Sequence, residues 1–200
     1  MLQPSSTWTF KRYEQFGHPP PATSQPRVLL VVTTEHDDGR IQTYVNALRK
    51  YSGVAVDVIK PTDDFLNLFP KKDNLAQHDF TKLLKTYDGF VLSGGKPNVT
   101  PELYREKAEY DDSLHDLPRD LLSIGVLQQA SPATPILGIC LGMQHIAVAH
   151  GAKLKKVDDH GPKDDANKYA ATDPLQITNG SLLHAIQPTA GEIFGRSRLA

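Results

Sequence analysis

"PILGICLGMQHIAVAHG", residues 135–151, runs a short apolar segment, a Gly-Ile-Cys-Leu-Gly turn and an apolar helical pattern end to end. Residues 134–140 read as a buried strand and 141–150 as a helix closed by Gly151. A sharp turn from strand to helix strains the residue at its apex, and the neighbouring positions must be small for the two elements to pass. Gly138 and Gly142 meet that demand and Cys140 stands between them. This is a nucleophile-elbow pattern with cysteine in place of serine. A helix N-terminus also favours an anion, and the Leu141 amide is placed to meet a developing oxyanion. The bland alternative is a cysteine packed as a small hydrophobe.

Upstream, "DGFVLSGGKP" at 88–97 predicts a buried strand followed at once by a glycine pair. Loops in that position overlie the C-terminal edge of a parallel sheet, where ligands bind. Gly94 and Gly95 are therefore candidate oxyanion donors, although a plain tight turn fits the dipeptide equally well. Earlier still, "RVLLVVTT" at 27–34 is a continuous β-branched and apolar run. The next segment puts Ile41, Tyr44, Val45 and Leu48 on one helical stripe, with Asp37 or Asp38 as cap and Gly53 as stop. "VAVDVIKP" predicts a second strand, and Phe80, Leu83, Leu84 and Tyr87 share a second stripe. After a long polar loop over 96–116, a helix with Pro118 in its first turn turns Leu121, Leu122, Gly125 and Val126 inward.

Strands and helices thus alternate, which predicts an α/β fold: an open, mostly parallel sheet with helices on both faces. Residues 1–26 are rich in Pro, Ser and Thr and read as an arm, with one domain over 27–200. "KLKKV" and "PLQITNGSLLHAI" predict short strands, with Asn179-Gly180 as a turn. The 200 residues carry a formal net charge of −1, so no basic field points to nucleic acid. No apolar stretch reaches spanning length and no secretory leader is recognisable; a cytoplasmic location is expected. The single cysteine cannot form an internal disulfide, in keeping with a reducing compartment.

The stretches "YDGFVLSGG", "PNVTPELY", "RDLLSIGVLQQA" and "PILGICLGMQHIAVAHGAKL" resemble the class I glutamine amidotransferase-like superfamily, and most closely its gamma-glutamyl-gamma-aminobutyrate hydrolase branch. The resemblance covers about residues 27–187 and implies a flavodoxin-like sheet. It also implies cleavage of a gamma-glutamyl amide through a Cys140 thioester, with Gly94, Gly95, Leu141 and Gln144 binding the oxyanion and substrate, and no cofactor or metal. The expected partner is a small gamma-glutamyl or glutamine-like molecule, with a homo-oligomer left open. In the family a His-Pro-Glu segment completes the triad. No such tripeptide occurs here, and a C-terminally shortened domain is expected.

Other histidines do not replace it readily. His145 points away from the elbow by helical geometry, His150 lies at the far helix end, and His160 and His184 read as surface or structural residues. The acidic run around His160 matches no defined metal spacing. Two further readings stand beside the hydrolase: a catalytically impaired protein of the same fold with a binding or regulatory role, and a glutaminase subunit that passes ammonia to a partner.

Overall fold

Arg27–Val31 forms the first strand, β1, and Leu29 to Val32 are fully buried because helices cover both faces of the sheet. The computed structural model describes residues 25–62, 79–107 and 115–155, and the short stretches 172–175, 178–181, 184–185 and 191–194. The chain divides into two compact units, Met1–Leu154 and Lys155–Ala200. Of the expected arm, only Gln25 and Pro26 belong to the described residues; the acidic run around His160 lies outside them.

In the first unit β1 is followed by helix α1 (Asp38–Ser52) and strand β2 (Ala55–Ile59). Asp37 caps α1 by accepting the Arg40 amide at 2.8 Å, and Gly53 ends it in the left-handed region at φ 62°. Helix α2 (Thr81–Thr86) and strand β3 (Gly89–Leu92) follow, then a 3-10 turn at Pro101–Tyr104 inside the polar loop. Helix α3 (Leu117–Gln129) carries Pro118 in its first turn and Asp116 as its cap. Strand β4 (Ile136–Gly138) and helix α4 (Leu141–Ala149) complete the unit.

The four strands are parallel in the order β2-β1-β3-β4, so the chain reverses its winding between β1 and β3. Strand alternation sorts the core into two clusters. Leu30, Val32, Val56, Val58 and Val91 pack with Ile41 and Val45 of α1. Leu29, Val31, Phe90 and Leu92 face the other way, against Leu83, Leu121, Leu122, Val126, Leu141 and Val148 of α2, α3 and α4. The expected α/β sheet with helices on both faces is what the first unit forms. β4 is shorter than the apolar run suggests and is the outer strand of this sheet; its Leu137 is 53% exposed.

The second unit holds an antiparallel pair, β5 (Thr172–Leu175) with β6 (Gly191–Phe194), and a turn whose Gly180 sits at φ 78°. The strand expected at "KLKKV" does not extend through Lys153–Lys155, where the backbone is irregular. Lys153 instead reaches out to Glu106 at 2.7 Å on the surface. Among the described residues no helix is long and apolar enough to cross a membrane.

Gly125 reports how closely α3 lies on α2. A Cβ there would stand 2.3 Å from Phe80 Cε2, a ring that is 3% exposed. Gly125→Ala is expected to cost about 1–3 kcal/mol by overpacking. The loss is read as a lower urea midpoint with unchanged m, and Phe80→Leu in the same chain should recover part of it.

Candidate active site

The parallel strands end on one edge, and the loops after β1, β3 and β4 meet there beside the reversal between β1 and β3, the place where open α/β sheets bind ligands. Cys140 is the residue between β4 and α4. Its φ of 53° and ψ of −107° lie outside the ordinary regions for a side-chain-bearing residue. The cause is visible on either side. A Cβ on Gly138 would meet the Gly142 carbonyl carbon at 2.6 Å, and one on Gly142 would meet the Leu92 oxygen at 2.2 Å. Ile139 meanwhile continues the ladder, its amide donating to the Leu92 carbonyl at 2.9 Å. The chain must then turn within one residue, and Cys140 absorbs the turn. Leu141 opens α4, so its amide has no acceptor within the helix. Gln144, one turn on, is 3% exposed, and its amide donates to the Cys140 carbonyl at 3.3 Å.

The Gly94-Gly95 loop faces this elbow: a Cβ on Gly94 would lie 3.3 Å from the Cys140 Cβ, and one on Gly95 would lie 3.4 Å from Leu141 Cδ2. Its peptide units are each held. The Ser93 amide donates to the Val31 carbonyl at 3.0 Å, extending the sheet. The Ser93 carbonyl accepts from Arg119 Nη2, and the Gly94 amide of the same peptide unit donates to the Tyr44 hydroxyl at 3.2 Å. The Gly94 carbonyl accepts from Ser93 Oγ at 3.0 Å, and the Lys96 amide donates to Glu35 Oε1 at 2.5 Å. Of these four consecutive amides, the one at Gly95 has no such acceptor among the described residues.

Behind the loop lies a buried polar layer supplied by α3. Asp116, 3% exposed, accepts the Thr34 amide at 2.9 Å; burial nonetheless pushes its carboxyl up. Asp120, fully buried, accepts both the amide and the hydroxyl of Thr100, at 2.8 and 2.7 Å, and so pins the start of the 3-10 turn. Its other oxygen meets Nε2 of fully buried His145 at 2.6 Å. Burial pushes the His145 imidazole down, against the opposing pull of Asp120. Arg119, also fully buried, is pushed down by burial and upward by Asp120 and Asp116. On the β1 side His36, 2% exposed, stacks on Tyr44 with centroids 5.9 Å apart. Burial, with Arg40 and Arg119 nearby, lowers it to about 4.

The sequence-predicted residues Cys140, Leu141, Gly94 and Gly95 thus lie together. His145 points from the elbow toward Asp120, and His150 Nδ1 lies 2.8 Å from the Ile146 carbonyl. His184 belongs to the second unit, where its amide donates to Ser181 Oγ at 3.1 Å. His160 lies outside the described residues. Tyr44 and Glu35 were not named as site residues in the sequence, and Arg119 and Asp120 stood there only at the head of the "RDLLSIGVLQQA" stretch that carries the resemblance. Tyr44 reads there as one member of an apolar stripe, and a buried Arg-Asp pair in a helix is indistinguishable by pattern from a solvated one. Among the described residues no cluster of three or more His, Cys, Asp or Glu could hold a metal.

Comparison with known proteins agrees with the fold. Residues 31–194 match the peptidase C26 family. The chain is 32% identical over 127 residues to the gamma-glutamyl-gamma-aminobutyrate hydrolase of Escherichia coli, covering 58% of this chain and 49% of that protein. It is 36% identical over 81 residues to a putative glutamine amidotransferase-like protein of Rickettsia prowazekii, covering 40% of this chain and 29% of that one. A similar protein of Lactococcus lactis is 29% identical over 120 residues, covering 58% and 54%. The chain spans about half the length of the hydrolase it matches.

Two measurements test the local physics. Cys140→Gly relieves the positive φ that Cys140→Ala retains, so the glycine variant should be the more stable of the two by about 1 kcal/mol, read by thermal melting. His36 carries its proton less readily folded, at about 4, than its ordinary 6.5. The unfolded chain therefore binds that proton first as pH falls. Stability from this group is complete above pH 6.5 and is lost as pH falls toward 4. His36→Phe, which keeps a ring on Tyr44, should flatten the stability profile across that window relative to wild type.

Proposed function

Because the chain belongs to the peptidase C26 family, we propose that it is a glutamine amidotransferase-like thiol hydrolase acting on a small gamma-glutamyl amide, with Cys140 as nucleophile. The observation that carries the reading is Cys140 itself: a non-glycine residue at φ 53°, at the N-terminus of α4, facing the Gly94-Gly95 loop. Residues held in such conformations concentrate at reacting centres.

In this reading Cys140 Sγ attacks the amide carbonyl carbon, and the carbonyl oxygen becomes an oxyanion held by the amides of Gly95 and Leu141. The first of these projects from the loop after β3, and the second from the first turn of α4. Gly94 shapes the loop, since its own amide is spent on Tyr44. Collapse of the intermediate breaks the carbon–nitrogen bond, the thiol proton leaves with the amine, and the glutamyl group remains as a thioester. Water then adds to the thioester and releases glutamate and the thiol. Gln144, buried one turn into α4, is the remaining candidate for binding the substrate. The substrate class comes from the relative that is named a gamma-glutamyl-gamma-aminobutyrate hydrolase. A cytoplasmic setting accords with the single thiol.

A second reading, a binding protein on the same fold, is favoured by one observation: His145 and His150, the histidines of the nucleophile helix, are engaged away from Cys140. Turnover needs a group that moves the thiol proton to the leaving amine.

Glutamate release from a gamma-glutamyl anilide separates the two. The hydrolase reading expects release by the wild type and a loss of at least about a thousandfold in Cys140→Ala. Equal background rates in both proteins, with Cys140 still labelled by iodoacetamide, would establish the binding protein instead.

A further inference from the structure

Arg119 is out of place as a structural residue. Its guanidinium is fully buried, yet among the described residues no salt bridge joins it to Asp116 or Asp120. Those carboxylates spend their oxygens on Thr34, Thr100, His145 and the Arg119 backbone amide. Of its own donors Nη2 reaches the Ser93 carbonyl, while Nε and Nη1 meet no acceptor among the described residues. Burying a charge with unspent donors is expensive, and such arrangements mark sites where the charge acts on something else. Nη1 lies 3.2 Å from where a Gly95 Cβ would stand, a point that Leu141 Cδ2 approaches to 3.4 Å. The cation sits directly behind the loop whose Gly95 amide has no acceptor.

The peptide unit between Ser93 and Gly94 is gripped at both ends. Its carbonyl accepts from Arg119 and its amide donates to Tyr44, from helices on opposite faces of the sheet. A planar peptide held at both its oxygen and its nitrogen cannot rotate. The next unit is then constrained as well, because Ser93 Oγ holds its carbonyl, and the amide on its far side belongs to Gly95.

We propose that Arg119 and Tyr44 form a clamp on the Ser93–Gly94 peptide that aims the Gly95 amide at the oxyanion, with the Arg119 charge reinforcing that amide from behind. Both are positioning residues, acting through the loop rather than by touching substrate. The inference rests on Cys140 being an acyl-accepting nucleophile, as in the proposed function, but not on gamma-glutamyl specificity or on turnover.

The chain's one cysteine allows a test that needs neither. Acylation of Cys140 by p-nitrophenyl acetate passes through a tetrahedral oxyanion: the sulfur–carbon bond forms and the carbon–oxygen bond to p-nitrophenolate breaks. Alkylation by iodoacetamide displaces iodide with no oxyanion. The ratio of the two rate constants, each corrected with Cys140→Ala, cancels changes in thiol availability and reads oxyanion stabilisation alone. The ratio should fall about tenfold in Tyr44→Phe and about a hundredfold in Arg119→Met, the order expected for a displaced oxyanion donor. Arg119→Lys, which keeps the charge without the fork, should fall between wild type and Arg119→Met. A ratio within twofold of wild type in Tyr44→Phe and in whichever Arg119 variants keep their circular dichroism would overturn the clamp. If the Arg119 variants unfold, Tyr44→Phe, which removes one hydroxyl from a half-buried ring, decides alone. Failure of the hydrolase reading would show separately, as absence of glutamate release by the wild type while the ratio still falls.

Discussion

The contact between Gly142 and the Leu92 carbonyl organises the site. A Cβ at Gly142 would come within 2.2 Å of that oxygen, so α4 can start where it does only if this position carries no side chain. The Leu92 oxygen also accepts the Ile139 amide, which fixes the end of the β4 pairing one residue before the turn. Between a strand that cannot end earlier and a helix that cannot start farther away, one residue makes the whole change of direction. That residue is Cys140. Its strain follows from packing of two elements whose buried faces, Leu92 on one and Leu141 and Val148 on the other, belong to the same core cluster.

The strain is borne by the stability of that core. Residues held outside the ordinary backbone regions persist only where their surroundings over-determine them. Here the surroundings include the buried β3, the buried Leu29–Val31 portion of β1 and the polar layer of α3 beneath the loops. The layer sets the cap Asp116 and the helical residues Arg119 and Asp120 among the buried apolar residues of α3, such as Leu121, Leu122 and Val126. Each carboxylate closes a loop: Asp116 the one after β1, Asp120 the one that begins at Thr100. The motifs "PNVTPELY" and "RD" are therefore physically one feature, a turn and the buried carboxylate that holds it, although they stand about 20 residues apart.

Much of this was legible in advance. The alternation of strand and helix, the caps at Asp37 and Gly53, Pro118 in the first turn of α3 and the elbow at Cys140 all come from local pattern, and local pattern reflects backbone sterics that act within a few residues. The short run at Lys153 misled for the same reason: Lys153 and Lys155 are exposed, Leu154 packs beside the core, and three residues after a helix stop carry no strand-specific sterics of their own. Tyr44 shows the opposite failure. Its place on the stripe of α1 is correct, since it packs beside the core, but its hydroxyl reaches past that core to the Gly94 amide of a loop 50 residues away.

By itself the sequence determined where the chain turns and which small residues let it do so. Glycines at 94, 95, 138 and 142 and the lone cysteine are properties of composition at fixed positions, and their steric meaning survives without a fold. Only the tertiary structure decided which loop amide is left without an acceptor among the described residues and where the buried charge stands. Those depend on Tyr44 from one face of the sheet and Arg119 from the other converging on a single peptide plane, and convergence across a parallel sheet leaves no trace in the spacing of residues along the chain.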